Sequence, residues 1–184
     1  MKKPAMFLGT ALAAAALCWG AWEPLVSLAS LKAVEASMND RLRSSINDPY
    51  DLLGPARGTY LDGYGAVFTV ELNLVYVSPL NLSPFKPTIS EKELTELHDR
   101  KSRKVEVLKA AMRDLMTGAS KTLTGLPPDQ RIVMEAFFFN YRWEQTRGLP
   151  HRLALVTTRQ KLLDATAKRM SPADMAALFE EEEM

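Results

Sequence analysis

Cysteine is almost missing from this chain: among 184 residues there is one, Cys18. It lies in an apolar stretch at the N-terminus, so a chain cut beyond it would carry no thiol. That would exclude an internal disulfide, a cysteine nucleophile and any thiolate-held zinc or iron–sulfur centre. Histidine is nearly as scarce, with only His98 and His151, which leaves little for an imidazole metal site or a histidine general base. No G-x-S-x-G elbow and no H-E-x-x-H helix occurs, and the G-x-G of Gly63 and Gly65 has no helix signal behind it. These lacks point to no metal and no cofactor. An excess of charge is lacking too. Lysine and arginine number 23 against 22 acidic residues, and without Lys2 and Lys3 the balance becomes 21 to 22. A near-neutral chain has no positive field to hold phosphates, which argues against nucleic acid as partner.

Long apolar runs are confined to one place. Met1-Lys2-Lys3 is a short basic segment, and Pro4 to Trp22 carries no charge. This is the pattern of an export signal over residues 1–20, followed by one domain over 21–184. Cys18-Trp19-Gly20 and Ala14-Ala15-Ala16 both offer small residues at the spacing a signal peptidase needs, with cleavage after Gly20 favoured. A lipoprotein reading fails at Leu17, which stands where a lipobox has Gly, Ala or Ser. An uncleaved anchor is the remaining alternative, because about 19 uncharged residues just suffice to cross a bilayer. The expected location is periplasmic or extracellular, with membrane attachment only if residues 4–22 are retained.

What is present reads as an α+β domain. Leu28, Leu31, Val34, Met38, Leu42 and Ile46 recur at helical spacing. Asn47-Asp48-Pro49 and Gly54-Pro55 then break the pattern. Asp62-Gly63 between β-rich runs predicts a two-residue type I′ hairpin, after which Ala66, Phe68, Val70, Leu72, Leu74 and Tyr76 alternate with more polar residues as one strand face. Ser90-Glu91-Lys92-Glu93 is a capping box. It opens a helix over 91–123 whose stripe of Leu94, Leu97, Val105, Leu108, Met112, Leu115, Ala119 and Leu123 is interrupted only by Lys101, and which at about 30 residues either outreaches a compact domain or kinks near Gly118. Arg131–Trp143 is apolar on both faces and predicts a central strand, with Trp143 its most exposed aromatic and His151–Thr158 its antiparallel partner. A helix from Thr158 follows, then the cap Ser171-Pro172-Ala173-Asp174 and a last helix ending in a solvated Glu180–Glu183 tail. The resulting expectation is an antiparallel sheet of about four strands, in two hairpins, packed against the long helix, with helices at both ends.

The segment Arg57–Leu74, read as R-G-x-Y-L-D-G-Y-G-x-V-F-x-x-E-L-N-L, resembles the core of uncharacterised exported bacterial proteins. That resemblance implies an envelope location and no activity. The order of elements also resembles roadblock- or profilin-type domains, in fold only.

Candidate chemistry is thin. Glu71 and Asn73 project from one side of one strand, where paired polar groups suit a site, with Arg142 as a charge partner and His151 at a strand start. Asp62 is explained by its turn. Two functions follow as expectations. One is a non-catalytic interaction or scaffolding protein, contacting an envelope protein or a second copy through helix 91–123 or the Arg57–Tyr64 hairpin. The other is a small periplasmic hydrolase or ligand-binding protein with a site at Glu71, Asn73, Arg142 and His151.

Overall fold

Hydroxyl caps start the helices. In the computed structural model, which describes residues 25–44, 49–76 and 89–184, α1 (Leu28–Arg43) begins where Ser27 Oγ accepts from the Ser30 amide. The predicted capping box opens α2 (Glu91–Thr122): Ser90 Oγ accepts from the Glu93 amide and the Glu93 carboxylate accepts from the Ser90 amide. Thr158 caps α3 (Arg159–Lys168), and Ser171 caps α4 (Pro172–Ala176) with proline in its first turn, as its sequence predicts. Ile46 and the Pro79–Pro87 punctuation fall outside the described residues.

The strands are β1 (Asp51–Leu52), β2 (Arg57–Leu61), β3 (Gly65–Asn73), β4 (Arg131–Phe138), β5 (Arg152–Thr158) and β6 (Glu180–Glu183). They form one six-stranded sheet in the order β1-β3-β4-β5-β6, with β2 on the same edge of β3 as β1. The sheet is mixed, which corrects the antiparallel four-strand expectation. β3 and β4 run parallel, from Gly65 beside Arg131 to Leu72 beside Phe138, and every other pair is antiparallel. The cause is α2. A crossover returns the chain to the end at which β3 began, so the two predicted hairpins join side by side in parallel.

Strand alternation then sorts the side chains. Phe68, Val70 and Leu72 of β3, Ile132, Met134 and Ala136 of β4, and Leu153 and Leu155 of β5 are buried in one core with Leu31, Val34, Met38 and Leu42 of α1, Leu108, Met112 and Met116 of α2, and Leu162 of α3. All three helices therefore cover one face of the sheet. Leu28, placed on the α1 stripe by its spacing, is 68% exposed, whereas Val26 just ahead of the helix is buried in that core.

Three local expectations change. The Asp62-Gly63 turn is a three-residue loop rather than a two-residue one: Leu61 still pairs with Gly65, the Tyr64 amide donates to the Leu61 carbonyl, and only Gly63 of the loop takes positive φ, at 72°. Gly65 follows at φ 145°, and a Cβ there would lie 2.0 Å from the Arg131 carbonyl oxygen. The close approach of β4 thus leaves no room for a side chain at the start of β3. Next, of the two alternatives for α2 the kink falls, because the helix runs unbroken through Gly118 for 32 residues. Finally, Glu180–Glu183 is a strand and not a solvated tail. Four adjacent glutamates disfavour a strand by repulsion, but cations clamp them from both sides. Arg113 pairs with Glu181, Lys109 lies 2.5 Å from Glu183, and Arg152 lies 3.1 Å from Glu182. Burial disfavours the Lys109 ammonium, yet hydrogen bonds to Glu106 and Glu183 outweigh this and hold its pKa above the ordinary lysine value.

Gly65→Ala is expected to destabilise the fold by about 3 kcal/mol or more, whereas Gly118→Ala, with open space at the new methyl, should stabilise it by about 1 kcal/mol. Urea melts of the two variants test both signs. Because the Lys109 pKa is raised on folding, its contribution is fully present below the ordinary lysine pKa of about 10.4 and is lost as pH rises through the folded value. Lys109→Gln should therefore lower stability and β6 amide protection at neutral pH. The difference from wild type should shrink at alkaline pH, as hydrogen exchange and denaturation can read.

Candidate functional site

Glu71, Asn73 and His151 lie at one end of the sheet, where β3 and β4 terminate, and Arg142 lies on the connection that follows β4. Glu71 sits beside Phe137, and the Phe138 amide donates to the His151 carbonyl across the β4–β5 connection. Their surroundings differ. Glu71 is exposed on the face opposite the helices, and His151 and Arg142 are exposed as well. Asn73 is 1% exposed; its Oδ1 accepts from the Val75 amide at 3.3 Å, while its Nδ2 has no hydrogen-bond partner. Among the described residues no ion pair joins Glu71 to Arg142. The arginine that works on this face is Arg152, 2.9 Å from Glu135. Asp62 accepts from the Tyr60 hydroxyl at 3.2 Å beside its turn, and the Arg131 guanidinium lies 5.2 Å from the centre of the Tyr64 ring.

The buried charge lies on the other side of the strand ends. Lys101, the one break in the α2 stripe, is 1% exposed. Its Nζ donates to Asn140 Oδ1 at 2.9 Å and pairs with Glu144, whose side chain is 2% exposed and whose Oε1 has no hydrogen-bond partner. Burial is the largest influence on Lys101 and pulls its pKa below the ordinary value, with the Glu144 carboxylate partly restoring it. Along the same connection His98 Nε2 donates to the Arg147 carbonyl at 3.0 Å, so His98 is half-buried against a loop instead of standing on a solvated face. α2 thus staples the β4–β5 connection at two points.

That connection displays aromatic rings. Phe139 meets Tyr141 edge to face at 5.0 Å, and Tyr141 stacks on Trp143 at 5.4 Å. Phe138 is buried, but Phe137 is 42% and Phe139 37% exposed. This corrects the reading of Trp143 as the exposed member; Trp143 is half-buried in the stack, and the open sheet face exposes the two phenylalanines instead. Among the described residues no helix or strand lies over that face.

The outer side of α2 is the second open surface. Val107 is 59% exposed. Two shallow grooves lie along this side of the helix: one of about 210 Å³, lined by Arg41, Tyr50, Val107, Ala110, Ala111 and Asp114, and one of about 200 Å³ on the α4 side that shares Ala110 and Asp114. Its sequence signal is small and apolar residues at helical spacing on the side away from the core stripe. Among the described residues no three His, Cys, Asp or Glu side chains gather as metal ligands, and no helix is long and apolar enough to cross a membrane. No protein-family model, curated protein or solved structure matches the chain.

The Lys101–Glu144 pair yields a two-part test. Glu144→Leu strands a buried ammonium and should cost about 3–5 kcal/mol, whereas Lys101→Met combined with Glu144→Leu should recover most of that. Since the Lys101 pKa is lowered on folding, the unfolded chain binds more protons between the folded value and about 10.4, and stability gains a rising component with pH in that window. Lys101→Met should abolish this component in pH-dependent urea melts.

Proposed function

We propose that the protein is exported to the cell envelope and works there as a non-catalytic interaction or scaffolding protein whose contact surface is the outer side of α2. The observation that carries this reading is the division of α2 into two faces. The inner stripe of a 32-residue helix is consumed by the core, while the outer side offers exposed Val107 and small residues between two grooves. A helix with apolar and small residues on a second face suits another helix laid against it. The basic and apolar N-terminal pattern, and the resemblance of Arg57–Leu74 to exported bacterial proteins, support the location. Glu71 on an open sheet face, without an ion pair to Arg142, supports a contact surface over a hydrolytic site there.

A photo-crosslinking residue placed at Val107 of the full chain in its host should give a covalent adduct with one defined protein of the envelope. The same residue at exposed Gln145 should not. An absence of any Val107 adduct in the envelope fraction would overturn the reading, and the N-terminal peptide recovered in the same sample reports whether residues 1–20 are removed.

A further inference from the structure

We infer that the occupant of the outer α2 surface is a second copy of this chain, bound with the two α2 helices antiparallel about a two-fold axis passing between Leu108 and Lys109. The inference rests on the contact reading above and names its partner. On the exposed side of α2, Glu96, Arg103, Val107, Ala110, Asp114 and Lys121 are separated by steps of three, four or seven residues, the repeat that keeps one stripe facing a neighbouring helix. The identities along the stripe carry the argument. Counted outward from the midpoint between Leu108 and Lys109, Val107 is equidistant with Ala110, Arg103 with Asp114, and Glu96 with Lys121.

In an antiparallel pair, positions equidistant from the axis meet. The three meetings among these six residues are favourable: an apolar side chain over a small one at the centre, arginine with aspartate further out, glutamate with lysine beyond, and Arg100 meets the uncharged Thr117 between the two charge pairs. A two-fold axis makes each contact occur twice, since the same patch serves both copies. A parallel pair would instead bring Arg103 against Arg103 and Asp114 against Asp114. The charges therefore select direction as well as partner.

The relief of the surface agrees. Ala110 lines both grooves, so Val107 of a second copy would settle over a small residue with open space on either side. Asp114 is 77% exposed in its side chain and only loosely paired with Arg41, at 3.7 Å, which leaves room for a second guanidinium on the carboxylate. Glu96 is likewise held only at 3.8 Å by Lys92 on its own helix. With one apolar layer at the centre, the interface is of the reversible, charge-oriented kind and weakens with salt.

The test is a charge exchange, read by sedimentation equilibrium of the full chain in mild detergent. Wild type should dimerise. Arg103→Glu should weaken the dimer about tenfold or more, by setting glutamate against Asp114 twice, and Asp114→Arg should do the same by setting arginine against Arg103. An equal mixture of the two variants should restore dimerisation as a heterodimer, because every pair is then opposite in sign again. A wild type that stays monomeric, variants that dimerise unchanged, or a mixture that stays monomeric would each overturn the inference.

Asp114→Arg also faces Arg41, so a measurement that alters no charge accompanies it. In a Cys18→Ser background, Val107→Cys in one copy and Ala110→Cys in another should form an intermolecular disulfide under mild oxidation; failure to crosslink would overturn the register. Identifying the Val107 photo-adduct separates the two levels. A self-adduct supports both. An adduct with a different protein alone leaves the contact reading standing and overturns the second copy, and no adduct overturns both.

Discussion

The parallel pairing of β3 with β4 is the constraint around which the rest of the molecule is arranged. Parallel neighbours cannot be joined by a tight turn, so the chain must cross one face of the sheet between Asn73 and Arg131, and α2 is the described helix that does so. Once α2 lies there, its inner stripe supplies Leu108, Met112 and Met116 to the core, and α1 and α3 fit on either side of it over the same strands. The opposite face is left to Val67, Thr69, Glu71, Val133, Glu135 and Phe137, half of them polar. One crossover thus determines which strand residues face the helices and which face away from them.

Where the apolar core ends, charge takes over the holding role. Lys101 reaches from α2 to Asn140 and Glu144 beyond the end of β4, and Lys109 and Arg113 reach from the same helix to β6. Both devices attach a segment with little apolar area of its own. They act in opposite electrostatic regimes. The ammonium of Lys101 is buried deeply enough that desolvation prevails, whereas Lys109 has enough carboxylates around it that attraction prevails. The first is a costly tether that holds an aromatic connection in one conformation; the second is an edge closure that turns a self-repelling acidic run into the last strand.

The outer side of α2 has neither device. Its charges are exposed and loosely paired within the chain, and their order along the helix is complementary about a point.

Much of the element list was legible from sequence because it rests on local rules. The capping box at Ser90 and Glu93, the alternation through Phe68, Val70 and Leu72, and the pairing of the segment Arg131–Trp143 with His151–Thr158 all depend on residues near one another in the chain, although the first strand ends at Phe138 and the second begins at Arg152. The candidate site was legible only as a neighbourhood: the strand ends gather near Glu71, Asn73 and His151, but burial separates Asn73 from the other two. The parallel register, the strand made by Glu180–Glu183 and the burial of Lys101 were not legible, for one physical reason. Each is decided by partners far away in sequence, namely Arg131 beside Gly65, Lys109 and Arg113 beside the acidic run, and Glu144 beside Lys101. Local propensity and hydrophobic period determined which segments are helices and strands; only the tertiary structure decided which edges meet and which charges are removed from water, because desolvation and strand pairing are set by what lies across the fold.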